Sequence, residues 1–494
     1  VKPSQLSRTE IFLLAISLLV VVAYFAQVGK NPTGFFIDEA SIAYNAHTIA
    51  QHGTDEHGQH FPLYFRAFGE YKSPVYIYAL AALFRVTGLS VFVARLLSAV
   101  LGLSGAILLG LLGFRITKRR NSGLIVFIAA GLTPWLFEIS RLVFEVTLLP
   151  LLLAAFLLIL HDAAKRDQWP WQIAAGLGLL LGLMVYSYSA GRLLAPLFAL
   201  GLIFFVTRQR WRGLVFTWLV FTLTLVPLAV FSARNPGTLG ERFKYVTYVK
   251  PGDTRTEIVM RFLKNYARDF SPWSWLVAGD PEPRHHLPGM GSLLAGVVIL
   301  GLLGLVLVLL YHRREAWWRF ILYGLTVSAI PASLTLDHFH TLRLITLPVF
   351  LLVLAVPAID YLQSRSTAGP PSMLGTRRIV LAVIIAATIA QGLVFQYQFH
   401  TAAPRVDAFD SYYPQVLDAA LGQSERPIYL FDKTPAAYMY AYWYAMLRGL
   451  DLNNFQRATK ELPPPGAVVI SHELPCTNCE IIFERGQFRV YRQR

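Results

Sequence analysis

Apolar runs recur at roughly 10–28, 75–87, 92–114, 122–138, 142–161, 171–188, 193–206, 213–233, 290–311, 317–335, 342–362 and 377–396. No other feature constrains the fold as strongly. A run of about 18 or more apolar residues is long enough for a helix to cross a hydrocarbon core of ~30 Å. Charged residues make up only 15% of the 494, against about 25% in a soluble domain. Mean hydropathy is +0.48. The expected fold is a polytopic α-helical membrane protein.

The net charge of +15 would suit nucleic acid if it formed a stripe with interleaved aromatics, and it does not. The cations instead fall in short loops between apolar runs: Arg115/Lys118/Arg119/Arg120, Lys165/Arg166, Arg208/Arg210/Arg212, Arg313/Arg314/Arg319 and Arg365/Arg377/Arg378. That is the positive-inside pattern, and it orients the bundle. Lys2 and Arg8 precede the first run, which is too long for a signal-peptide core and lacks a clear cleavage site, so it reads as a retained span with the N-terminus cytoplasmic. Parity then requires an odd number of crossings between loop 29–74 and the basic loop at 115. Val75–Thr87 is too short to cross comfortably and reads as interfacial or re-entrant, leaving about eleven spans. The expectation is a multi-pass protein of the inner (plasma) membrane. Residues 1–396 form its transmembrane module, with external loops 29–74 and 234–289.

Residues 397–494 read as a small extracytoplasmic α/β domain. Pro427–Phe431 and Ala467–Ser471 read as strands, Ala436–Leu447 as a helix rich in Tyr and Ala, and Ile481–Phe483 with Phe488–Tyr491 as a hairpin. Cys476 and Cys479, the only cysteines, form a CxxC on this external side. A structural disulfide suits an oxidising compartment. A zinc knuckle lacks its second pair, and thioredoxin-type redox chemistry lacks its strand-then-helix context.

Asp38-Glu39 lies just past the first span and opens a helical pattern that ends at Gly53. Acidic residues at a helix start favour the positive end of its dipole, so simple capping is one reading. A cation site or the acid–base apparatus of an enzyme at the membrane face are the others. Loop 29–74 closes with Glu70-Tyr71-Lys72-Ser73-Pro74 before the short apolar helix.

The order is first span, acidic pair, amphipathic helix, then Lys-x-Pro, and it resembles the C-type (GT-C fold) glycosyltransferases that use polyprenyl-phosphate sugars. The nearest groups are the family-39, protein mannosyltransferase-like enzymes and the lipid A aminoarabinose transferase. Further similar segments are Arg95-Leu96-Leu97-Ser98, Ser140-Arg141 with Glu145, Tyr186–Arg192 ahead of Pro196, and His340-Thr341-Leu342-Arg343 ahead of Pro348. Ser73 departs from the family's Lys-Pro-Pro pattern. The match runs over roughly 10–350, and the tail lies outside it.

The resemblance implies an integral membrane glycosyltransferase. It would move a sugar from a polyprenyl-phosphate donor to an envelope lipid, glycan or protein acceptor on the outer face. A single displacement inverts the anomeric centre, and a carboxylate that takes the acceptor proton is useful there. Asp38 is the expected base, with Glu39 orienting the acceptor or supporting the loop. Lys72, Arg192 and Arg343 are the expected donor-phosphate ligands, since Arg suits phosphate through a bidentate fork and Lys as a point charge. Glu70, Arg141, Glu145, Tyr188, His285, His286 and His340 are candidates for the site wall or the acceptor.

His285-His286 admits three readings: a divalent-metal site completed by Glu70 or Asp280, a substrate contact, or plain loop structure. No other cofactor is implied. Expected partners are membrane lipid, the lipid-linked sugar and an envelope acceptor, with no nucleic acid. The rival reading from another class is a polytopic transporter or lipid flippase, which would favour inverted repeats and charges near mid-membrane. A non-catalytic assembly protein acting through its tail is a third.

Overall fold

The computed structural model describes residues 6–364, 371–401, 407–431, 437–458, 462–472 and 478–494. Six helices among them are long and apolar enough to cross a membrane: Arg8–Phe25, Val91–Thr117, Glu145–Ala164, Trp211–Arg234, Ala295–His312 and Gly375–Thr401. Five further apolar helices are shorter: Pro74–Thr87, Arg120–Leu132, Trp171–Ser187, Gly191–Phe205 and Leu347–Gln363. Proline accounts for two interruptions within apolar runs. Pro134 separates Arg120–Leu132 from Pro134–Ile139, and Pro331 opens the turn Ile330–Ser333 after Ala316–Val327. Proline removes a helical donor and clashes with the preceding turn, so it sits where a helix restarts.

The chain divides into two compact units. The first comprises Val1–Ala26, Ser98–Arg141 and Glu145–Thr401. Its centre is helix Leu347–Gln363, which is buried over nearly its whole circumference. A helix apolar on every side needs neighbours on every side, and Ala295–Leu307, Arg120–Leu132, Ala316–Val327 and Pro371–Thr401 supply them. Contact with Ala295–Leu307 is close enough that a Cβ on Gly304 would stand 1.6 Å from the Leu354 carbonyl oxygen. Small residues of this kind let membrane helices approach backbone to backbone.

The second unit joins Gln27–Leu97 and Leu142–Phe144 to Ala402–Arg494. Its sheet has five strands in the order Phe455–Ala458, Ile428–Phe431, Val468–Ser471, Phe488–Gln493, Cys479–Arg485. The first three are mutually parallel and the last two pairings antiparallel. The strands at 428, 468, 479 and 488 and the helix Ala437–Leu447 fall on the segments that the sequence predicts. Phe455–Ala458 does not, because Phe-Gln-Arg-Ala gives one large apolar side chain and no β-branched residue to mark a strand. Helix Ala437–Leu447 packs on helix Ile37–His52. Phe35 stacks on Trp443 with centroids 4.9 Å apart and rings 18° from parallel, both fully buried. The tail and loop 27–97 therefore share one hydrophobic core.

Candidate active site

In the second unit, helix Ile37–His52 begins at Phe36, whose backbone N–H donates to Glu39 Oε2 at 2.9 Å. This is the side-chain cap expected of an acidic residue in a first turn. Glu39 is wholly buried and has further donors. Arg95 grips it bidentately, Nε to Oε1 at 3.0 Å and Nη2 to Oε2 at 2.9 Å, and the Val143 N–H donates to Oε1 at 3.1 Å. Arg95 in turn donates to the carbonyls of Pro32, at 2.6 Å, and Gly34, at 2.8 Å. Both charges are thus paired and hydrogen-bonded, the condition on which a charge tolerates full burial.

Asp38, one residue earlier, has its side chain 30% exposed. Its partner comes from the hairpin Phe65–Ala67/Glu70–Lys72, in which Lys72 lies opposite Phe65. Lys72 Nζ donates to Asp38 Oδ1 at 2.6 Å, is 5% exposed, and lies 5.6 Å from the Phe68 ring centroid. Two residues on, Pro74 opens the next helix. Glu70 is half-buried at the start of the same strand, two positions from Lys72 and so on the same side of it.

In the first unit, His285 and His340 come together with Asp280, their ligand atoms all within 4.8 Å of one another. The Asp280 carboxylate accepts from Thr341 N at 2.8 Å, from Thr341 Oγ1 at 2.6 Å, and from Glu282 N at 2.9 Å. Burial opposes its charge, but the bonds and charges of His285, His340 and Thr341 outweigh burial and hold Asp280 well below the usual carboxylate range. His340 moves the other way: burial first, then Arg343 and His285, keep its imidazole neutral. Its Nδ1 has no hydrogen-bond partner. A neutral imidazole with an unpartnered nitrogen beside a second imidazole and an ionised carboxylate is a donor set that suits zinc.

His286 is differently placed. Nδ1 meets Glu138 Oε2 at 2.9 Å and Nε2 meets the Met290 carbonyl at 2.6 Å, so both ring nitrogens are engaged by protein groups. Burial opposes protonation here, yet Glu138 and Met290 prevail and raise His286 above its ordinary value. Glu138 also accepts from Leu287 N at 2.6 Å. Gly279 makes room: at φ +65° a Cβ there would lie 1.9 Å from His286 Nε2.

The remaining candidates occupy several places in the first unit. Arg141 is buried and donates to the carbonyls of Tyr24 and Ala26 at 2.8 and 2.7 Å, closing the end of helix Arg8–Phe25. Glu145 is half-buried in the turn Glu145–Thr147. Tyr188 is the extended residue that ends helix Trp171–Ser187. Arg192 sits in the first turn of the following helix, near the Leu239 carbonyl at 3.3 Å. Arg343 donates to Asp337 at 2.6 Å and Thr335 Oγ1 at 2.8 Å. Of the cysteines, Cys479 opens a strand and Cys476 lies outside the described residues.

The structure thus unites Asp38 with Lys72, and His285 with His340. It commits Glu39, Arg141 and His286 to buried partners. Three residues that complete the two histidine clusters carried little signal in the sequence. Glu138 is a lone acid in an apolar run, Thr341 is an ordinary hydroxyl, and Asp280 was one option among loop acids.

Residues 71–233, about a third of the chain, match a family model described as dolichyl-phosphate-mannose-protein mannosyltransferase. No curated protein matches the sequence. Among solved structures, ArnT from Cupriavidus metallidurans in the apo state is similar with a TM-score of 0.61 and 12% identity, over 97% of this chain and 97% of that one. The same protein bound to undecaprenyl phosphate gives 0.59 and 13%, again over 97% of each chain. The archaeal oligosaccharyltransferase AglB from Archaeoglobus fulgidus, in complex with an inhibitory peptide and a dolichol-phosphate, gives 0.55 and 12%, over 93% of this chain and 69% of that one. At such identities the likeness is one of fold.

Proposed function

We infer, starting from a chain that has the GT-C glycosyltransferase fold, that it transfers a sugar from a polyprenyl-phosphate donor to an envelope acceptor on the outer face of the membrane. The observation that carries this reading is the 2.6 Å pair between buried Lys72 and partly exposed Asp38. A structural ion pair would bury both partners, as Glu39 and Arg95 do next door at 0% exposure each. Leaving the carboxylate open to solvent suits a group that must meet a substrate.

The acceptor hydroxyl attacks the anomeric carbon as the bond to the phosphate oxygen breaks. The leaving phosphate keeps the electron pair, the acceptor proton passes to Asp38, and configuration inverts. An ammonium offers several donors, so Lys72 can hold Asp38 and also meet the phosphate. As phosphate arrives, part of the ammonium's charge shifts towards it and Asp38 becomes the better base. Arg192 and Arg343 would stabilise the departing charge at the membrane boundary, where the phosphate of a prenyl lipid sits. Glu39 serves by fixing the helix start rather than by chemistry.

Asp280, His285 and His340 would hold a divalent cation. A zinc ion held there would supply positive charge to an anionic substrate group. The likeness to sugar-transferase folds favours this enzyme over the transporter or flippase reading.

Purified Asp38→Asn protein tests the assignment with a polyprenyl-phosphate sugar and envelope extract. It should insert and bind donor, yet lose transfer by about two to four orders of magnitude. Full transfer by that variant would remove Asp38 as the base.

A further inference from the structure

A polar cavity lies in the first unit, at the far end of a helix from Glu145. Helix Glu145–Ala164 separates it from Glu145 by a span of roughly 30 Å at 1.5 Å per residue. The cavity has a volume of about 640 Å³ and is walled by the ends of helices that meet at the basic loops. That size falls in the range of small-ligand sites. Its chemistry comes from His161, Lys165 and Arg210, with Trp317 and Trp318 beside them.

The charges there are unequally satisfied. Both lining acids have partners: Glu315 lies 2.6 Å from His312 Nδ1, and Asp360 lies 3.4 Å from the Arg119 guanidinium Nε. The lining cations rest on carbonyls instead. Lys165 Nζ donates to Arg115 O at 3.3 Å, and Arg210 donates to Arg166 O at 2.7 Å and Ala164 O at 3.0 Å. Lys165 is largely exposed, yet partial desolvation and, after it, the nearby Lys118 charge pull it below the ordinary lysine value. A crowd of cations of this kind calls for an anion.

Two buried polar groups in the wall also want a partner. His161 is 6% exposed, and neither ring nitrogen makes a hydrogen bond, the adjacent Arg115 carbonyl falling outside bonding geometry. Trp317 is equally buried, its Nε1–H is unbonded, and its ring meets His161 edge-on with centroids 4.8 Å apart. Unsatisfied buried donors are uncommon in folded proteins and point to something that satisfies them. The mouth carries exposed Tyr311 and Tyr361, residues that favour the membrane–water boundary. Leu307 and Pro357 continue the wall as apolar surface.

We propose that this cavity binds the phosphate headgroup of an anionic phospholipid from the leaflet on the basic-loop side. Lys165 and Arg210 meet the phosphate, His161 and the Trp317 indole donate to its oxygens, and an acyl chain leaves along the apolar wall. Free phosphate shares the headgroup chemistry but has no use for that wall. Binding there needs no step of the transfer reaction.

The test is lipid retention by full-length protein in phosphatidylcholine nanodiscs doped with phosphatidylglycerol, read by native mass spectrometry. Lys165→Glu should weaken phosphatidylglycerol retention about tenfold. Arg208→Glu, which removes the same charge from an exposed loop position outside the cavity, should leave it unchanged. Ala164→Phe fills the cavity without altering charge and should also expel the lipid, which covers the case of a misfolded Lys165→Glu protein. Equal loss in Lys165→Glu and Arg208→Glu would mean diffuse surface attraction and overturn the site. Retention unchanged in both Lys165→Glu and Ala164→Phe would overturn it too. Millimolar inorganic phosphate that displaces the lipid completely would assign the cavity to a soluble anion instead.

Discussion

Lys72 Nζ stands 2.6 Å from Asp38 Oδ1, the ammonium 5% and the carboxylate 30% exposed. The lysine is the fixed member of this pair, held in a hairpin with Phe68 beside it, and the acid is the member that reaches solvent. Residues that act as one unit lose activity together, not in sum. Asp38→Asn, Lys72→Met and the double variant should therefore all fall to about the same residual transfer rate. A double variant slower than either single one by the product of their losses would show that the two act independently. Radiolabel transfer from a polyprenyl-phosphate sugar measures all three.

Glu39→Gln leaves Arg95 as a buried, uncompensated charge. Breaking a buried pair in this way costs about 3–5 kcal/mol. Thermal unfolding in detergent should register that loss for Glu39→Gln and for Arg95→Met. Glu39→Leu with Arg95→Met should recover part of it, because no charge then remains in the core. Asp38→Asn, at a half-open position, should unfold within a few degrees of the parent.

If Asp280, His285 and His340 hold a metal, Asp280→Asn and His285→Ala should reduce zinc content, by inductively coupled plasma mass spectrometry, to below about a tenth of the parent. His286→Gln should leave it unchanged, since both nitrogens of His286 are already engaged. Equal metal loss in His286→Gln would place the ligand set elsewhere.

Folding raises the His286 value, so the protonated ring belongs to the native state. Its contribution to stability is complete below the unfolded value of about 6.5 and is lost as pH rises through the higher folded value. The parent should therefore lose stability over that alkaline interval. Glu138→Gln, which removes the charge that raises His286, should flatten the slope there. Unfolding midpoints measured from pH 6 to pH 9 decide the matter.

Trp443→Ala removes the ring stacked on Phe35 and leaves a cavity beneath the start of the Asp38 helix. A buried aromatic truncation costs about 3–5 kcal/mol. The variant should melt earlier and also transfer sugar more slowly, although position 443 lies far along the chain from every proposed reacting group. Normal transfer with lowered stability would separate the tail's structural part from catalysis.

Much of this was legible from residues alone. Long apolar runs announce helices because hydrocarbon leaves the backbone no other partner, and the basic loops mark one face. Helix Ile37–His52 declares itself by an acidic first turn and a closing glycine, the hairpin in the tail by alternation around Arg485-Gly486-Gln487. Pairings between distant residues were not legible. Asp38 and Lys72 each carry a local signal, but nothing local says that they touch. Glu138 looks like an isolated charge in a greasy run until His286 is seen beside it. The joint core of loop 27–97 and the tail was equally hidden, since Phe35 and Trp443 are ordinary aromatics until folded together.

That joint core has a consequence for descent. The loop that carries Asp38 and Lys72 cannot be exchanged between related chains without the distant tail that seats it, because Phe35 would arrive without its Trp443. Crossovers anywhere between the two would part coadapted surfaces, so loop and tail should be inherited as a pair. Their differences across relatives would then track one another more closely than either tracks the spans encoded between them.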